Sequence, residues 1–356
     1  MRFGINFFPT VGPDEQSGAQ FFDECLELCE RAEALGYSSI RTVEHYFRPY
    51  GGYSPDPVTF LSAAAQRTKR VRLVTGAVLP AFNHPIKLAG KLAMLDNLSH
   101  GRLDAGFARA FLPEEFDAFQ VPMDESRPRF EEGIAAVKRL WTERDVVWEG
   151  RFHRFGPITM LPRPYQQPHP PIWIAAVTTP QSFEWAGQQG YHLMIVPYLT
   201  GHEGVAKLVQ NYRDNWRAAG HPPGREQIQM SFHLYMAEDG ELARREARTH
   251  MQDYIAKFLL SAEAWSTRKT DQYKGYEQLA QMLRDLTYER ILSETRAFIG
   301  DPDDVADQIE LIRGYYGEIE PSLQVTFGKM PELCARRSLD LFARHVMPRF
   351  QAPARP

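Results

Sequence analysis

Two stretches of this sequence set reactive side chains beside one another. The first is SIRTVEHYF (39–47), which ends in a carboxylate, an imidazole and two aromatic rings at Glu44, His45, Tyr46 and Phe47. An imidazole that titrates near neutral pH beside a carboxylate suits general acid–base work. A satisfied loop pair is the competing reading. The second is VTTPQS (177–182), with hydroxyls at Thr178, Thr179 and Ser182 around a proline placed to open a helix. Free backbone N–H groups and the helix dipole at such a start favour an anion such as phosphate; plain capping by Thr179 is the alternative. Arg109, in FARAF (107–111), is the cation that would complete an anion site by a bidentate contact, or else one half of a surface ion pair. Phe7, Phe8, Phe47, Phe111 and Tyr198 add aromatic surface nearby. A planar aromatic ligand carrying a phosphate tail suits this combination.

Other chemistries leave no trace. There is no Gly-rich dinucleotide or nucleotide loop, no His/Asp/Glu spacing for a metal, and no G-x-S-x-G nucleophile elbow. Cys25, Cys29 and Cys334 form no paired metal spacing, and Cys25 and Cys29, four apart, read as small buried hydrophobes of a reducing compartment. A formal net charge of -4 gives no footprint for nucleic acid or an acidic membrane. No signal-peptide core and no apolar run of the ~18 residues a span requires are present, so a cytoplasmic location is expected.

Something must position these groups. The chain has 356 residues, 43% of them hydrophobic, which is ample for a large core. Short β-like runs alternate with amphipathic helical runs. Strands are expected at 2–8, 40–43, 71–75, 102–106, 172–176, 192–196, 228–236 and 323–327. Helices are expected at about 19–35, 57–66, after 84–85, and at 125–141, 180–189, 203–219, 240–260 and 333–350, with a further helix capped at Asp301. Phe22, Cys25, Leu26, Cys29 and Ala32 are the expected inner stripe of the first helix. The arithmetic is that of an α/β fold, the TIM (β/α)8 barrel, formed by one domain over 1–356. Two insertions interrupt it: about 145–171 after the fourth strand and helix, and 261–290 near the seventh strand and helix. The second is either a lid over the barrel mouth or a solvated excursion. Barrel chemistry sits at the C-terminal ends of the strands, where both opening stretches fall.

At this point the sequence resembles a known family, the bacterial luciferase-like flavin-dependent monooxygenases. The resemblance rests on ALGYSSIRTVEHYF (34–47), VTGAVLPAFNHPIKLA (74–89), MLDNLSHGRLDAGFARAF (94–111), MDESRPRFEEGI (123–134), TTPQSFEWAGQQG (178–190), FIGDPDDVADQI (298–309) and SLDLFARHVMPRF (338–350), in that order. It implies that His45 is the active-site histidine beside the flavin. It implies that Arg109, Thr179 and Ser182 hold the flavin phosphate with Thr178 beside them, that Gly76-Ala77 lies at the ring, often joined by a cis bond, and that Glu115 is an acidic residue near the flavin. Phe8, Phe47, Phe111 and Tyr198 are the expected substrate pocket. Ala108 stands where the luciferase catalytic subunit has a reactive cysteine, Tyr46 where it has a second histidine, and Thr178 where it has a glutamate; these departures argue against light emission.

The implied activity is oxidation of a small organic substrate with FMNH2 and O2 through a flavin hydroperoxide. Reduced FMN would come from a separate NAD(P)H:flavin reductase, since no nicotinamide motif is present, and the assembly would be a homodimer. A deazaflavin-dependent oxidoreductase of the same fold, a non-catalytic flavin-binding subunit, and an unrelated barrel lyase or hydrolase using Glu44 and Glu115 are the alternatives. Beyond Arg109 the rim shows no basic cluster, which argues against a highly anionic substrate.

Overall fold

The structure, a computed structural model, describes residues 1–268 and 270–351. Lys269 of the expected 261–290 insertion and residues 352–356 of the expected domain lie outside the described residues. Eight parallel strands close into a barrel. They are β1 (Gly4–Phe7), β2 (Ser39–Thr42), β3 (Arg72–Thr75), β4 (Leu103–Phe107), β5 (Ile172–Ala176), β6 (His192–Ile195), β7 (Ile228–Met236) and β8 (Glu320–Thr326). β8 pairs with β1, Gly4 opposite Ser322, and β6 pairs with β7, Leu193 opposite Ile228, which closes the ring. The expected TIM barrel is therefore the observed fold.

Local chemistry sets the helix boundaries. Helix Gly18–Leu35 begins where Ser17 Oγ accepts from Gln20 N and stops at Gly36, whose φ of 89° few other residues adopt. Its buried stripe is Phe21, Cys25, Leu28, Cys29 and Ala32. Phe22 instead lies at the surface. The expected stripe was rotated by one position at Phe22 and Leu26, which lie beside the core-facing line at helical spacing. Both cysteines of this helix are free and fully buried, and burial pushes their thiols up.

The helix after β7 differs from expectation. Gly240–Ala262 does not take the ring position. It packs against the short segments that follow it and against a three-residue strand, Phe298–Gly300, which lies alongside the end of β7. The ring position belongs to Pro302–Tyr316, packed between His202–Ala218 and the closing helix that begins at Glu332–Leu341. An Asp301–Asp304 capping box with Pro302 in the first turn starts it. Gly240–Ala262 and the residues after it form a second layer across the barrel mouth.

The two segments expected as insertions bury their aromatics differently. In the first, strands Val146–Glu149 and Arg154–Ile158 form an antiparallel pair, with Trp148 stacked on Phe155. Glu132 accepts from the backbone N–H groups of Arg151, Phe152 and His153 and ties this hairpin to helix Ser126–Thr142. In the second, Trp265, Tyr273, Leu279 and Leu283 join a separate apolar cluster with Phe8, Tyr50, Phe116, Tyr254 and Phe258. That cluster lies above the barrel, so the segment is a packed cover and not a solvated excursion.

Candidate active site

The C-terminal ends of the strands open into a cavity of about 360 Å³, at the small end of the roughly 300–1,000 Å³ usual for ligand pockets. β1 contributes Phe8; β2 leads to Glu44 and His45; β3 to Gly76 and Ala77; β4 to Arg109 and Phe111; β5 to Thr178, Thr179 and Ser182; and β6 to Tyr198. Tyr273 and Tyr276 enter from the cover above. Gly76 and Ala77 are joined by a cis peptide bond.

At one end stands His45. Its Nδ1 is 3.0 Å from Oε1 of Glu115, and the same oxygen accepts from Tyr46 N at 3.0 Å. Glu115 is 1% exposed and sits in a short helix, Pro113–Ala118, that the sequence reading passed over as loop. A carboxylate on Nδ1 fixes the ring and its tautomer. Nε2 has no partner among the described residues, and the imidazole lines the cavity. Phe8 and Phe111 pack on the ring, with centroids 5.4 and 5.6 Å away. Gly51, with φ 86°, presses its backbone against the other side: a Cβ there would lie 2.5 Å from His45 Cβ.

Glu44 plays a different part from its neighbour. Its carboxylate accepts from Tyr46 Oη at 2.6 Å, Leu79 N at 3.0 Å and Asn83 Nδ2 at 3.1 Å. Burial nevertheless outweighs these donors and pushes its pKa up to about 7.

At the opposite end is a cationic pocket. Arg109 lies over the ring of Tyr273, 4.2 Å from its centroid, and its Nη1 is buried with no hydrogen-bond partner. A buried unpaired charged donor costs upward of about 3 kcal/mol, more than the roughly 0.5–2 kcal/mol a cation–π contact returns. Arg127 Nη2 donates to Ser182 Oγ at 3.3 Å. Burial and the neighbouring Arg109 charge both lower the basicity of Arg127. Beside them starts helix Pro180–Gln189, and the Thr179 side chain makes no capping hydrogen bond. The capping alternative for Thr179 is thus set aside. Two guanidinium groups, two hydroxyls and an uncapped helix N-terminus converge on one place, which suits a phosphate-sized anion.

Three expected residues lie elsewhere, Phe7 among them, buried in the core against Phe60. Phe47 does not line the cavity: its φ of 68° swings the chain outward, and the ring, 62% exposed, faces Tyr46 and Phe119 on the rim. β2 ends at Thr42, five residues earlier, so the strand does not aim this residue into the barrel mouth. Glu115 is likewise not part of the cavity wall, and it reaches the site through His45. Two arginines were missed. Arg127 stands within a quoted motif, MDESRPRFEEGI, but nothing in its spacing marks it as facing Ser182. Arg41 lines the cavity floor from the middle of β2, so basic groups at the site extend beyond Arg109.

The chain as a whole is similar to known proteins. A family model described as luciferase-like monooxygenase matches residues 1–316. The oxygenase component of the flavin-dependent trigonelline monooxygenase of Acinetobacter baylyi is 38% identical over 263 residues, covering 72% of this chain and 72% of that protein. The crystal structure of monooxygenase RslO1 from Streptomyces bottropensis matches with a TM-score of 0.87 at 52% identity, over 99% of this chain and 100% of that one. The oxygenating constituent of 3,6-diketocamphane monooxygenase from Pseudomonas putida, in complex with FMN, matches with a TM-score of 0.84 over 99% of this chain and 100% of that one. At 20% identity the last is a likeness of fold alone.

Proposed function

The chain belongs to the luciferase-like monooxygenase family and is a flavin-dependent enzyme, and from that membership we propose that it is the oxygenase component of a two-component system working on reduced FMN. The observation that carries this reading is Arg109, a half-buried cation whose Nη1 is buried with no hydrogen-bond partner among the described residues, beside an uncapped helix N-terminus. Arg109, Arg127, Thr179 and Ser182 would hold the FMN phosphate. The aromatic and apolar walls between them and His45 would hold the ring, with Gly76 and Ala77 beside it. Reduced flavin, when bound, supplies the two electrons with which O2 gives one oxygen atom to a substrate and the other to water.

The chain's own residues do the rest. Glu115 accepts from Nδ1–H of His45, so that Nε2 faces the cavity as the atom that takes or gives a proton. Phe8, Phe111, Tyr198 and the cover residues Tyr273 and Tyr276 keep water from the reacting atoms. A separate NAD(P)H-dependent reductase would supply the reduced flavin. A homodimer through helices Pro57–Arg67 and Pro85–Leu98 goes with this reading; Met94 and Leu98 on the second are exposed apolar side chains. No described helix is long and apolar enough to cross a membrane.

The phosphate end gives a direct test by fluorescence titration of FMN against riboflavin. FMN is expected to bind about 10- to 100-fold more tightly, the scale of one or two charge-assisted hydrogen bonds. Arg109→Gln is expected to remove most of that preference while leaving riboflavin affinity within about threefold. Equal affinity of the two flavins for the unaltered chain would refute the phosphate assignment.

A further inference from the structure

The barrel floor is unusually polar. TIM barrel interiors are filled mainly by bulky branched apolar side chains. Here Asn6 of β1 stands in register between Arg41 of β2 and Gln324 of β8. All three are buried and line the floor of the cavity. Asn6 Oδ1, Arg41 Nε and Nη1, and Gln324 Nε2 have no hydrogen-bond partner among the described residues. Arg41 and Arg296 are the buried arginines among those residues. Arg296 pairs with Glu294 and donates to Tyr198 O. Arg41 has no ion-pair or hydrogen-bond partner among the described residues, although it is 2% exposed.

A cation in that position is expensive, because no counter-charge among the described residues compensates its desolvation. Burial lowers its basicity to about 10, so it stays charged at neutral pH. His233, which stands opposite Gln324 in β7, is pushed down to about 3 by burial and brings no second charge. The fold makes room for Arg41 at a cost in side chains: a Cβ on Gly76 would lie 2.3 Å from Arg41 Nε. Neighbouring strands are about 4.8 Å apart, so the row Arg41–Asn6–Gln324 spans about 10 Å, the width of a planar ring system.

We propose that Arg41, with Asn6 and Gln324 beside it, is a second anion subsite on the barrel floor, apart from the one at Arg109 and Ser182, and that it takes a planar delocalised oxyanion. The guanidinium fork matches such an oxyanion with two parallel N–H bonds. Two sources carry this chemistry: the pyrimidine ring of a reduced flavin, and a substrate carboxylate. The first rests on the flavin reading above and the second does not.

The test compares the unaltered chain with Arg41→Met and Arg41→Lys in two measurements. One is the reduction potential of bound FMN. The other is calorimetric binding of benzoate, an aromatic carboxylate probe, with and without oxidised FMN. Arg41→Met is expected to weaken benzoate binding about tenfold, or to lower the preference for reduced over oxidised FMN about tenfold, which is about 30 mV for a two-electron couple. Arg41→Lys is expected to retain most of either effect. A change in benzoate binding alone assigns the floor to substrate; a change in potential alone assigns it to the flavin. Both quantities staying within twofold in Arg41→Met overturns the proposal. Arg41→Met also removes an uncompensated buried charge, so the ligand-free variant is expected to melt no lower than the unaltered chain; a marked loss of stability without a binding change would make Arg41 a packing residue. Should the unaltered chain not bind FMN, the flavin reading fails, while the benzoate arm still decides the role of Arg41.

Discussion

His45 owes its orientation to Glu115, seventy positions away in the sequence, and not to Glu44 beside it. Glu115→Ala removes the acceptor of Nδ1–H and frees the ring to turn. Bound FMN should be held within about threefold of normal, because Glu115 does not line the cavity, while oxygen transfer to substrate should fall about 10- to 100-fold, less than the roughly 10²–10⁴-fold of removing the proton-transfer group itself. Measuring FMN affinity and coupled turnover on the same variant separates these; a parallel loss of both would make Glu115 a flavin contact. Glu44 makes a different prediction. Burial raises it from 4.5 to about 7, so the folded chain holds a proton there that the unfolded chain has lost. Stability should therefore fall as pH rises from about 4.5 through 7. Melting temperatures across that window should be flatter in Glu44→Gln, and an unchanged slope would assign the titration to another group.

Among the elements, helix Gly240–Ala262 does the covering, and a latch holds it. Lys257 donates to Thr10 O at 2.8 Å and to Glu15 Oε2 at 2.7 Å, joining this helix to the loop after β1. Burial of Glu15 opposes ionisation, yet hydrogen bonds from Lys257, Lys329 and Gly12 overcome it and hold the carboxyl down at about 2. Its contribution is full above about 4.5 and is lost as pH falls toward 2. Protection of the Gly240–Ala262 amides, taken relative to their intrinsic exchange rate at each pH, should fall through that acid window, and Glu15→Gln should already exchange faster at neutral pH. Exchange indifferent to Glu15 would leave the helix held by packing alone. At the rim, Phe47→Ala should change FMN affinity and turnover by less than twofold, within the spread of surface substitutions; a larger loss would return Phe47 to the pocket.

Across the whole molecule, legibility in the sequence followed the reach of the interactions. Strand and helix periodicities are local, so β5, β7 and helix Pro180–Gln189 were bounded to the residue, and the barrel came with them. The rim loops carrying His45, Arg109 and Ser182 were legible because barrel geometry sends every strand end to one face. What stayed hidden depends on distant partners. The Glu115–His45 bond, the Arg127–Ser182 contact and the unpaired Arg41 are settled by packing across the barrel, which no spacing records. The ring position of Pro302–Tyr316 was hidden for the same reason, since Gly240–Ala262 has the length and pattern of a barrel helix and differs only in what it covers.

The most direct test of the flavin-oxygenase reading needs no knowledge of the substrate. Chemically reduced FMN is bound to the chain and mixed with O2, and the appearance of hydrogen peroxide is followed. A water-poor cavity with a positioned His45 predicts that peroxide forms several-fold more slowly than from free reduced FMN, and that His45→Ala, still binding FMN, releases it at about the rate of the free flavin. Peroxide release at the free-flavin rate from the unaltered chain, or no FMN binding alongside tight binding of a deazaflavin, would contradict the account.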